Sequence, residues 1–251
     1  MNSEQIVSAS IVTYNDRARV CDACNSLLEK TVRYAPKLYI IDNGSIDGTV
    51  QALKDFDVTI IENGSNLGFG AAHNKMLGAQ MGKYHFFVNP DILLKEDVIS
   101  DMVDFFEANP DVVMACPKIL NPDGSEQKLP KYRPTFKRLF LGRLSRAVRS
   151  EYIWGERELQ NPCDIDFCTG CFFCIRSDVF KKLGGFDERY FMYLEDADLT
   201  LRAKQFGRVV IVPQISVTHL WERESAKSIK YLLIHTASCF KFLWKWRKNT
   251  K

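Results

Sequence analysis

Long apolar runs are missing from this sequence of 251 residues. No stretch approaches the roughly 18 apolar residues that a membrane-spanning helix needs. The opening residues, "MNSEQIVSASIVTYN", have neither the basic segment nor the extended apolar segment of a secretory signal peptide. These absences argue against a membrane-spanning protein and against a secreted one. We therefore expect a protein of the cytoplasm.

Cysteine is present, but not at the density of a small disulfide-stabilised scaffold: the chain has 8 cysteines in 251 residues. The spacings Cys21–Cys24 and Cys168–Cys171–Cys174 leave a structural zinc site open. The second group alternates with Phe and Ile, however, whereas zinc knuckles usually lie in polar, Gly-rich loops. We favour reduced thiols in the protein core.

Neither sign of charge is in large excess, and the net charge of +3 does not by itself indicate a nucleic-acid partner. The hydrophobic fraction of 46% and the charged fraction of 26% are those of an ordinary globular protein. The length suits one large α/β domain or two small ones. No internal repeat or low-complexity tract is evident.

Short apolar segments alternate with helical patterns over the first 120 residues. One helix face is marked by Val20, Cys24 and Leu27, and Ser45 or Asp47 can cap a helix over residues 48–56. The predicted strands cover residues 6–15, 37–45, 58–66, 84–94 and 111–120. Strands that alternate with helices indicate a parallel sheet with helices on both faces.

Polar residues cluster where several of these strands end. They are Thr13-Tyr14-Asn15, Asp42-Asn43-Gly44 and Asn89-Pro90-Asp91, the last inside "FFVNPDILL". One Asp at one strand end is usually a turn or capping residue. Ligands in such sheets bind beyond the carboxyl ends of the strands, so the recurrence at one edge predicts a site there.

The character of the chain changes after about residue 121. Residues 131–149 contain seven basic side chains and no acidic one. Further on, Glu195, Asp196 and Asp198 open an amphipathic helix, and a strand over residues 208–220 ends near His219. The acidic cluster is either catalytic or a charged first turn that the helix dipole favours.

Taken in order, these motifs resemble the inverting glycosyltransferases of family 2, most closely their rhamnosyltransferase-like branch. The matching stretches are "SIVTYND", "IIDNGSIDGT", "NLGFGAAHNKML", "FFVNPDILL", "CTGCFFCIRSDVFKKLGGFDERYFMYLEDADLTLR" and "VTHLWERES". The resemblance implies an α/β GT-A fold, with a Rossmann-like, mostly parallel central sheet flanked by helices. Residues 1–225 would form one catalytic domain, with a donor half (1–120) and an acceptor half (121–225), before a basic C-terminal helix (226–251).

The resemblance also implies a nucleotide-sugar site with a divalent cation, Mg²⁺ or Mn²⁺. Its metal ligands would be Asp91, Asn89 and His219, with Asn89 replacing one carboxylate of the family's Asp-x-Asp. A hard cation would bridge the oxygens of the donor diphosphate. The implied donor-binding residues are Thr13, Tyr14, Asn15, Asp42, Asn43, Asn66, Gly68, Phe69, Gly70, Asn74, Asn89, Asp91 and Gly170.

Inversion requires one base that removes the proton of the acceptor hydroxyl. The resemblance implies that Asp196 is this base, with Glu195 as the alternative. Asp198 lies two residues further along the helix, so we expect it to point elsewhere and to pair with Arg202.

Cations and aromatic rings are mixed in residues 227–251, which have no acidic residue. This segment is either a helix packed on the domain or an interfacial helix on an anionic membrane. Phe136, Leu139, Phe140 and Leu144 repeat the same mixture among arginines. We expect peripheral contact with the inner face of the cell membrane; a homodimer is left open.

The favoured function is transfer of L-rhamnose from dTDP-rhamnose to a hydroxyl of a lipid-linked cell-surface glycan. One alternative is a UDP-hexose or UDP-GlcNAc transferase of the same fold. A second is a non-catalytic nucleotide-sugar-binding scaffold, which Asn89 keeps open. A nucleic-acid binder that uses the basic segments is disfavoured by the acidic residues at the strand ends.

Overall fold

The protein is described by a computed structural model that covers residues 6–220 and 229–249. Its strands are β1 (Val7–Thr13), β2 (Lys37–Asp42), β3 (Thr59–Glu62), β4 (Tyr84–Val88), β5 (Ile92–Leu93), β6 (Val112–Leu120), β7 (Cys163–Asp164), β8 (Phe172–Arg176) and β9 (Arg208–His219). Its helices are α1 (Arg17–Lys30), α2 (Thr49–Ala52), α3 (Phe69–His73), α4 (Val98–Ala108), α5 (Phe136–Phe140), α6 (Arg146–Ile153), α7 (Ser177–Lys182), α8 (Glu195–Ala203) and α9 (Ile229–Trp246).

The strands form one sheet in the order β3-β2-β1-β4-β8-β6-β9-β5, and β7 pairs with β9. Strands β3, β2, β1 and β4 are mutually parallel, as are β6 and β9. Strand β8 runs antiparallel between β4 and β6, and β5 and β7 run antiparallel to β9. The mostly parallel α/β sheet is therefore confirmed. Strands from both predicted halves of the chain lie in it.

The predicted strand over residues 84–94 is wrong as a single element. It breaks at Asn89-Pro90-Asp91 into β4 and the two-residue β5. Proline has no N–H to donate to a strand ladder, which favours the break. The Asn89 N–H donates to Cys171 O at 2.8 Å, and the Leu220 N–H donates to Asp91 O at 2.9 Å. The break therefore places Asp91 beside the end of β9.

Two helices are shorter than the sequence pattern indicates. The helix expected over residues 48–56 is α2 followed by a 3₁₀ turn at Leu53–Asp55, and α3 likewise continues into a 3₁₀ turn at Asn74–Gly78. Of the two capping candidates, Asp47 holds the Thr49 N–H at 3.1 Å. Ser45 instead accepts from the Asn15 N–H, so it joins the loop after β2 to the loop after β1.

Apolar layers cover both faces of the sheet. The buried face of α1 carries Val20, Ala23, Cys24 and Leu27, which confirms the predicted helical spacing. Each fully buried side chain of Val or Leu size contributes about 1.5–3 kcal/mol. Cys24 lies in this layer, and burial raises the pKa of its thiol to about 12. Cys168 and Cys174 are also buried, so these thiols pack as small apolar groups.

The C-terminal helix α9 packs on α8, and its contacts centre on the buried carboxylate of Asp198. Lys245 Nζ lies 2.6 Å from Asp198 Oδ1, and Trp246 Nε1 donates to the same oxygen at 2.9 Å. The expected partner Arg202 holds Asp198 Oδ2 at 2.8 Å. The helical tail is thus confirmed over residues 229–246, whereas Lys227, Lys251 and the "WERES" portion of the last motif lie outside the described residues.

Candidate functional site

A cleft of about 1030 Å³ opens at the edge of the sheet where the parallel strands end. The carboxyl ends of β1, β4 and β9 form its floor, the loop before β8 and the start of α8 form one wall, and α5 and α6 form another. Of the predicted residues, those that line it are Thr13, Tyr14, Asn43, Asn66, Gly68, Phe69, Asn89, Asp91, Gly170, Glu195, Asp196 and His219. Residues of the predicted strand-end clusters and residues implied by the resemblance therefore lie in one cleft.

Asp42 and Asn15 do not line the cleft but shape one of its loops. Asp42 Oδ2 accepts from the N–H groups of Gly44 and Ser45, at 3.0 and 2.9 Å. Asn15 Oδ1 accepts from the Ile46 N–H at 2.8 Å. Direct donor binding by these two residues stays a prediction. Their visible contacts hold the β1 and β2 loops together.

Asn74 and Gly70 also lie outside the cleft lining. The Asn74 amide donates to Phe186 O at 2.9 Å and accepts from the Phe186 N–H at 2.8 Å, a paired contact 112 positions apart in the chain. A Cβ on Gly70 would lie 2.9 Å from Phe186 Cβ, so glycine allows α3 to approach this turn. These contacts join the predicted donor half to the Gly184–Asp187 turn. Their proposed donor contacts stay untested.

The Asn66–Phe69 loop needs glycine for a specific reason. Gly68 has a φ of +86°, and a Cβ there would lie 2.1 Å from the carbonyl oxygen of Phe191. The Phe69 N–H donates to that same oxygen at 3.0 Å. The Asn43 amide donates to Gly68 O at 3.1 Å. Because Gly68 has no side chain, the segment just before α8 can approach it closely. This approach brings the donor-side loop against the acidic cluster.

Asp196 is held by two backbone donors at the start of α8. Its Oδ2 accepts from the Gly170 N–H at 2.8 Å, and its Oδ1 accepts from the Ala197 N–H at 2.8 Å. Burial raises the pKa of Asp196 to about 6, although these two hydrogen bonds act in the opposite direction. A carboxylate with a raised pKa is a better proton acceptor near neutral pH. The geometry therefore suits a general base facing the cleft.

Glu195 is buried beside Asp196. Burial, and then the charge of Asp196, raises the pKa of Glu195 well above its usual range. Glu195 therefore holds its proton to a higher pH than an ordinary carboxyl group does, which favours Asp196 as the base. The helix begins after two residues of positive φ, Tyr193 (+73°) and Leu194 (+65°), a conformation that costs a non-glycine residue about 1–2 kcal/mol. Such strain is common where a chain aims functional groups.

Comparison with known proteins identifies the family. Residues 8–184 match the family described as Glycosyl transferase family 2. The chain belongs to this family. Over 225 residues it is 29% identical to the N-acetylglucosaminyl-diphospho-decaprenol L-rhamnosyltransferase of Mycobacterium tuberculosis, covering 81% of this chain and 73% of the relative. It is 28% identical to the rhamnosyltransferase WbbL of Escherichia coli K12, covering 72% of each chain.

Solved structures agree on the fold. GalNAc-T7 with UDP, GalNAc and Mn²⁺ superposes with a TM-score of 0.68 at 15% identity, covering 97% of this chain and 48% of the other. The mannosyltransferase PcManGT of Pyrobaculum calidifontis, in complex with GDP-Man and Mn²⁺, gives 0.63 at 16% identity, covering 96% and 65%. The chain therefore spans about half of the first structure's length. At these identities the likeness shows the GT-A fold, and the expected glycosyltransferase family is confirmed.

In this glycosyltransferase, Asp91 and His219 meet at the floor of the cleft. The pairing of β5 with β9 places Ile92 opposite His219, and His219 Nε2 lies 3.3 Å from Asp91 Oδ1. Two ligands at right angles on a Mg²⁺-sized ion, with bonds of about 2.1 Å, are about 3 Å apart. Asn89, two residues before Asp91, also lines the cleft. Carboxylate, amide and imidazole groups are donors that Mg²⁺ and Mn²⁺ accept, so these residues fit such an ion.

The candidate cation site is sparse in charge. Across residues 6–220 and 229–249, no group of three or more His, Cys, Asp and Glu side chains is placed to hold a metal ion. Within the described residues the candidate centre has two such side chains, Asp91 and His219, and Asn89 offers an amide in place of a second carboxylate. Bound diphosphate oxygens would have to complete the coordination, which couples cation binding to donor binding.

Sequence reasoning missed Gln127 and the cleft contribution of the helical segments. No sequence pattern assigned Gln127 a role, yet it is buried and contacts His219 through two hydrogen bonds. Arg149 of α6 and Tyr231 and His235 of α9 also line the cleft. A polar side chain just after strand β6, at the same edge as the other strand ends, was the available signal for Gln127.

Proposed function

We propose that this glycosyltransferase inverts the anomeric centre and moves a sugar, L-rhamnose from dTDP-rhamnose foremost, to a hydroxyl of a lipid-linked cell-surface glycan. The observation that carries the proposal is the buried carboxylate of Asp196, held by Gly170 and Ala197 in the same cleft as Asp91. The choice of sugar and acceptor is supported by the names of the two curated relatives.

In the proposed reaction, Asp196 acts on the acceptor hydroxyl and the cation site acts on the departing diphosphate. The acceptor oxygen attacks the anomeric carbon from the face opposite the diphosphate, and the carbon–oxygen bond to the diphosphate breaks. The hydroxyl proton passes to Asp196. Gly170 and Ala197 fix the carboxylate through their N–H groups, so the base needs little reorganisation before it acts.

The cation would be held by Asp91, Asn89 and His219. When bound, it neutralises charge on the departing diphosphate. The structures of GalNAc-T7 and PcManGT both contain Mn²⁺ with a nucleotide or nucleotide sugar, which supports Mn²⁺ or Mg²⁺ here. The single carboxylate predicts modest affinity for the ion alone.

A membrane surface is the proposed partner of the acceptor side. No helix in the described chain is long and apolar enough to cross a membrane. Helices α5 and α9 instead present exposed aromatic side chains, Phe136 and Phe240. The half-buried Phe140 contacts both rings, with ring centres 4.8 Å from Phe136 and 5.8 Å from Phe240. Residues of both helices also line the cleft. A lipid-linked acceptor could thus stay near the bilayer, at its inner face, while its sugar enters; binding to anionic vesicles tests this contact.

Calorimetry with dTDP-rhamnose, UDP-glucose and UDP-GlcNAc, each with and without Mn²⁺, tests the donor assignment. We expect binding of dTDP-rhamnose that Mn²⁺ strengthens at least tenfold, and we expect Asp91→Asn to abolish that strengthening. Asp55→Asn, an exposed carboxylate in the 3₁₀ turn after α2, is the matched control and should behave as wild type.

Three other calorimetric results would each lead to a different conclusion. Preference for a UDP-sugar would replace the donor while keeping the reaction class. Mn²⁺-independent binding that Asp91→Asn leaves unchanged would return Asn89-Pro90-Asp91 to a structural turn. Folded protein that binds none of the donors would support the non-catalytic scaffold.

A further inference from the structure

We propose that Gln127 is a positioning residue that sets the tautomer of His219 and directs its Nε2 lone pair at the cation site. The inference rests on the proposed cation site, but its main observable, the tautomer, exists without any metal. Gln127 lies just beyond β6, whereas His219 ends β9, 92 positions later in the chain. Both residues are only 6% exposed.

The amide of Gln127 contacts His219 at two points. Its Nε2 donates to the backbone carbonyl of His219 at 2.9 Å. Its Oε1 lies 2.9 Å from Nδ1 of the imidazole. The carbonyl of His219 can only accept, so the nitrogen of the amide must face it. The orientation of the amide is therefore determined by the protein and leaves Oε1 for the ring.

This orientation determines which ring nitrogen carries the proton. An amide oxygen can only accept, so Nδ1 of His219 must be the donor. In a neutral imidazole the other nitrogen, Nε2, then carries the lone pair, which is the form that binds metals. Nε2 faces Asp91 Oδ1 at 3.3 Å. In this neutral form the two electron-rich atoms would repel each other, and a bound cation would relieve the repulsion.

The backbone fixes Gln127 before any ligand arrives. Its N–H donates to Ile119 O at 2.9 Å, and Leu120 pairs with Glu126 in an isolated antiparallel bridge. The chain therefore forms a small hairpin, stabilised at its tip by Asn121 and Ser125, that presents the amide to the end of β9. Partners that orient a metal-binding histidine in this way typically change metal affinity 10- to 100-fold when removed.

A merely structural role is the competing explanation, and two substitutions separate the two. In Gln127→Glu the carboxylate still accepts from Nδ1–H but no longer donates to the His219 carbonyl. In Gln127→Leu both contacts are lost. If Gln127 only fastens the hairpin to β9, both variants lose Mn²⁺ binding to the same extent. If it sets the tautomer, Gln127→Glu retains Mn²⁺ binding and Gln127→Leu loses it.

The test combines nitrogen-15 NMR of the histidine side chains with Mn²⁺ titration followed by electron paramagnetic resonance in the presence of dTDP. The chain has only 4 histidines, so His219→Gln suffices to assign its signals. We expect wild type and Gln127→Glu to show the Nδ1–H tautomer and Gln127→Leu to show a mixture or the Nε2–H form. We expect Mn²⁺ affinity to fall at least tenfold in Gln127→Leu and to stay within about threefold of wild type in Gln127→Glu.

An Nε2–H tautomer in the wild-type protein would overturn the inference, and so would equal Mn²⁺ affinity in all three proteins. If Gln127→Leu does not fold, the wild-type tautomer and the Glu variant still decide. Failure of the proposed cation site would give a different result. None of the three proteins would then bind Mn²⁺ in the presence of dTDP or UDP. The Nδ1–H tautomer of His219 and its dependence on Gln127 would persist.

Discussion

The division of labour between Glu195 and Asp196 gives the sharpest prediction for single residues. Asp196→Asn retains an oxygen that can accept from the Gly170 N–H but removes the base, so we expect transfer to fall by a factor of about 10²–10⁴. Donor affinity should stay within a few-fold of wild type. Steady-state transfer assays and donor calorimetry on the same preparation measure the two effects.

The raised pKa of Asp196 adds a pH test. The base must be unprotonated to act, so kcat/KM of the wild type should fall as the pH drops through about 6 and should be level above it. Glu195→Gln is the companion variant. If that variant abolishes transfer while Asp196→Asn retains it, the roles of the two carboxyl groups are exchanged.

Polar residues at the end of a single strand could be predicted from the sequence, but side-chain contacts between distant segments could not. The strand-end pattern pointed to Asp91, and the family resemblance pointed to Asp196. The partner of Asn74 lies 112 positions away, and that of Gln127 lies 92 positions away. Such contacts depend on which strands become neighbours, and no local pattern records this. Asp42 and Asn15 show a related limit, because a polar side chain at a strand end can serve the loop as well as a ligand.

At the scale of elements, α5 and α9 carry the proposed membrane contact. Phe136, Phe240 and Trp244 are 60%, 59% and 62% exposed, and basic side chains on both helices would face anionic lipid. Aromatic rings and cations on one face are typical of helices that lie in the membrane interface. Burying a ring in lipid is worth about 1.5–3 kcal/mol.

We therefore expect the protein to sediment with vesicles that contain phosphatidylglycerol, and less with neutral vesicles. Phe240→Ser with Trp244→Ser should weaken this binding at least tenfold, and raised salt should weaken it further. Phe206→Ser is the control, because Phe206 is also exposed but lies before the amino end of β9, at the opposite edge of the sheet from His219. Equal binding of all three proteins would leave α9 as a helix that only packs on α8.

Elements with a strong period were predictable, whereas their breaks and their order in the sheet were not. The spacing of Val20, Cys24 and Leu27 gave α1 correctly. Residues 84–94 contain two apolar segments, and hydrophobicity alone does not show that the second one joins β9 rather than continuing β4. The first four residues of strand β8 are apolar and buried, so their composition does not distinguish an antiparallel from a parallel neighbour.

At the scale of the whole molecule, a buried polar network joins the sheet to the donor side of the cleft. Ser10 Oγ hydrogen-bonds with both His73 Nδ1 and His85 Nε2, each at 2.9 Å, and Ser8 Oγ hydrogen-bonds with His85 Nδ1 at 2.7 Å. The network connects β1, β4 and α3, whose first residue, Phe69, lines the cleft. Both imidazoles are completely buried. Protonation of these imidazoles would place charge in the core. The network therefore links the stability of the protein at low pH to the shape of the Asn66–Phe69 loop, which leads into α3.

Acid should therefore destabilise the fold through these histidines. Burial lowers the pKa of His85 to about 3, and burial together with His85 lowers the pKa of His73 well below its usual range. The unfolded chain takes up these protons near pH 6.5 and the folded chain does not, so stability is lost as the pH falls below about 6.5. From pH 7.5 to 5.5 each histidine should remove about 1.4 kcal/mol from the free energy of unfolding.

Two other buried groups oppose this loss, so the comparison has to be made between variants. Glu195 and Asp196 have raised pKa values, and the folded state therefore gains stability from them as the pH falls. Urea unfolding at pH 7.5 and 5.5 should show a loss about 1.4 kcal/mol smaller in His85→Gln than in wild type, whatever the variant's stability at pH 7.5. Glu195→Gln should show a larger loss than wild type, because it removes a group that gains protons on folding. Parallel losses in all three proteins would mean that His85 titrates alike in the folded and unfolded chains, and that the core admits its charge.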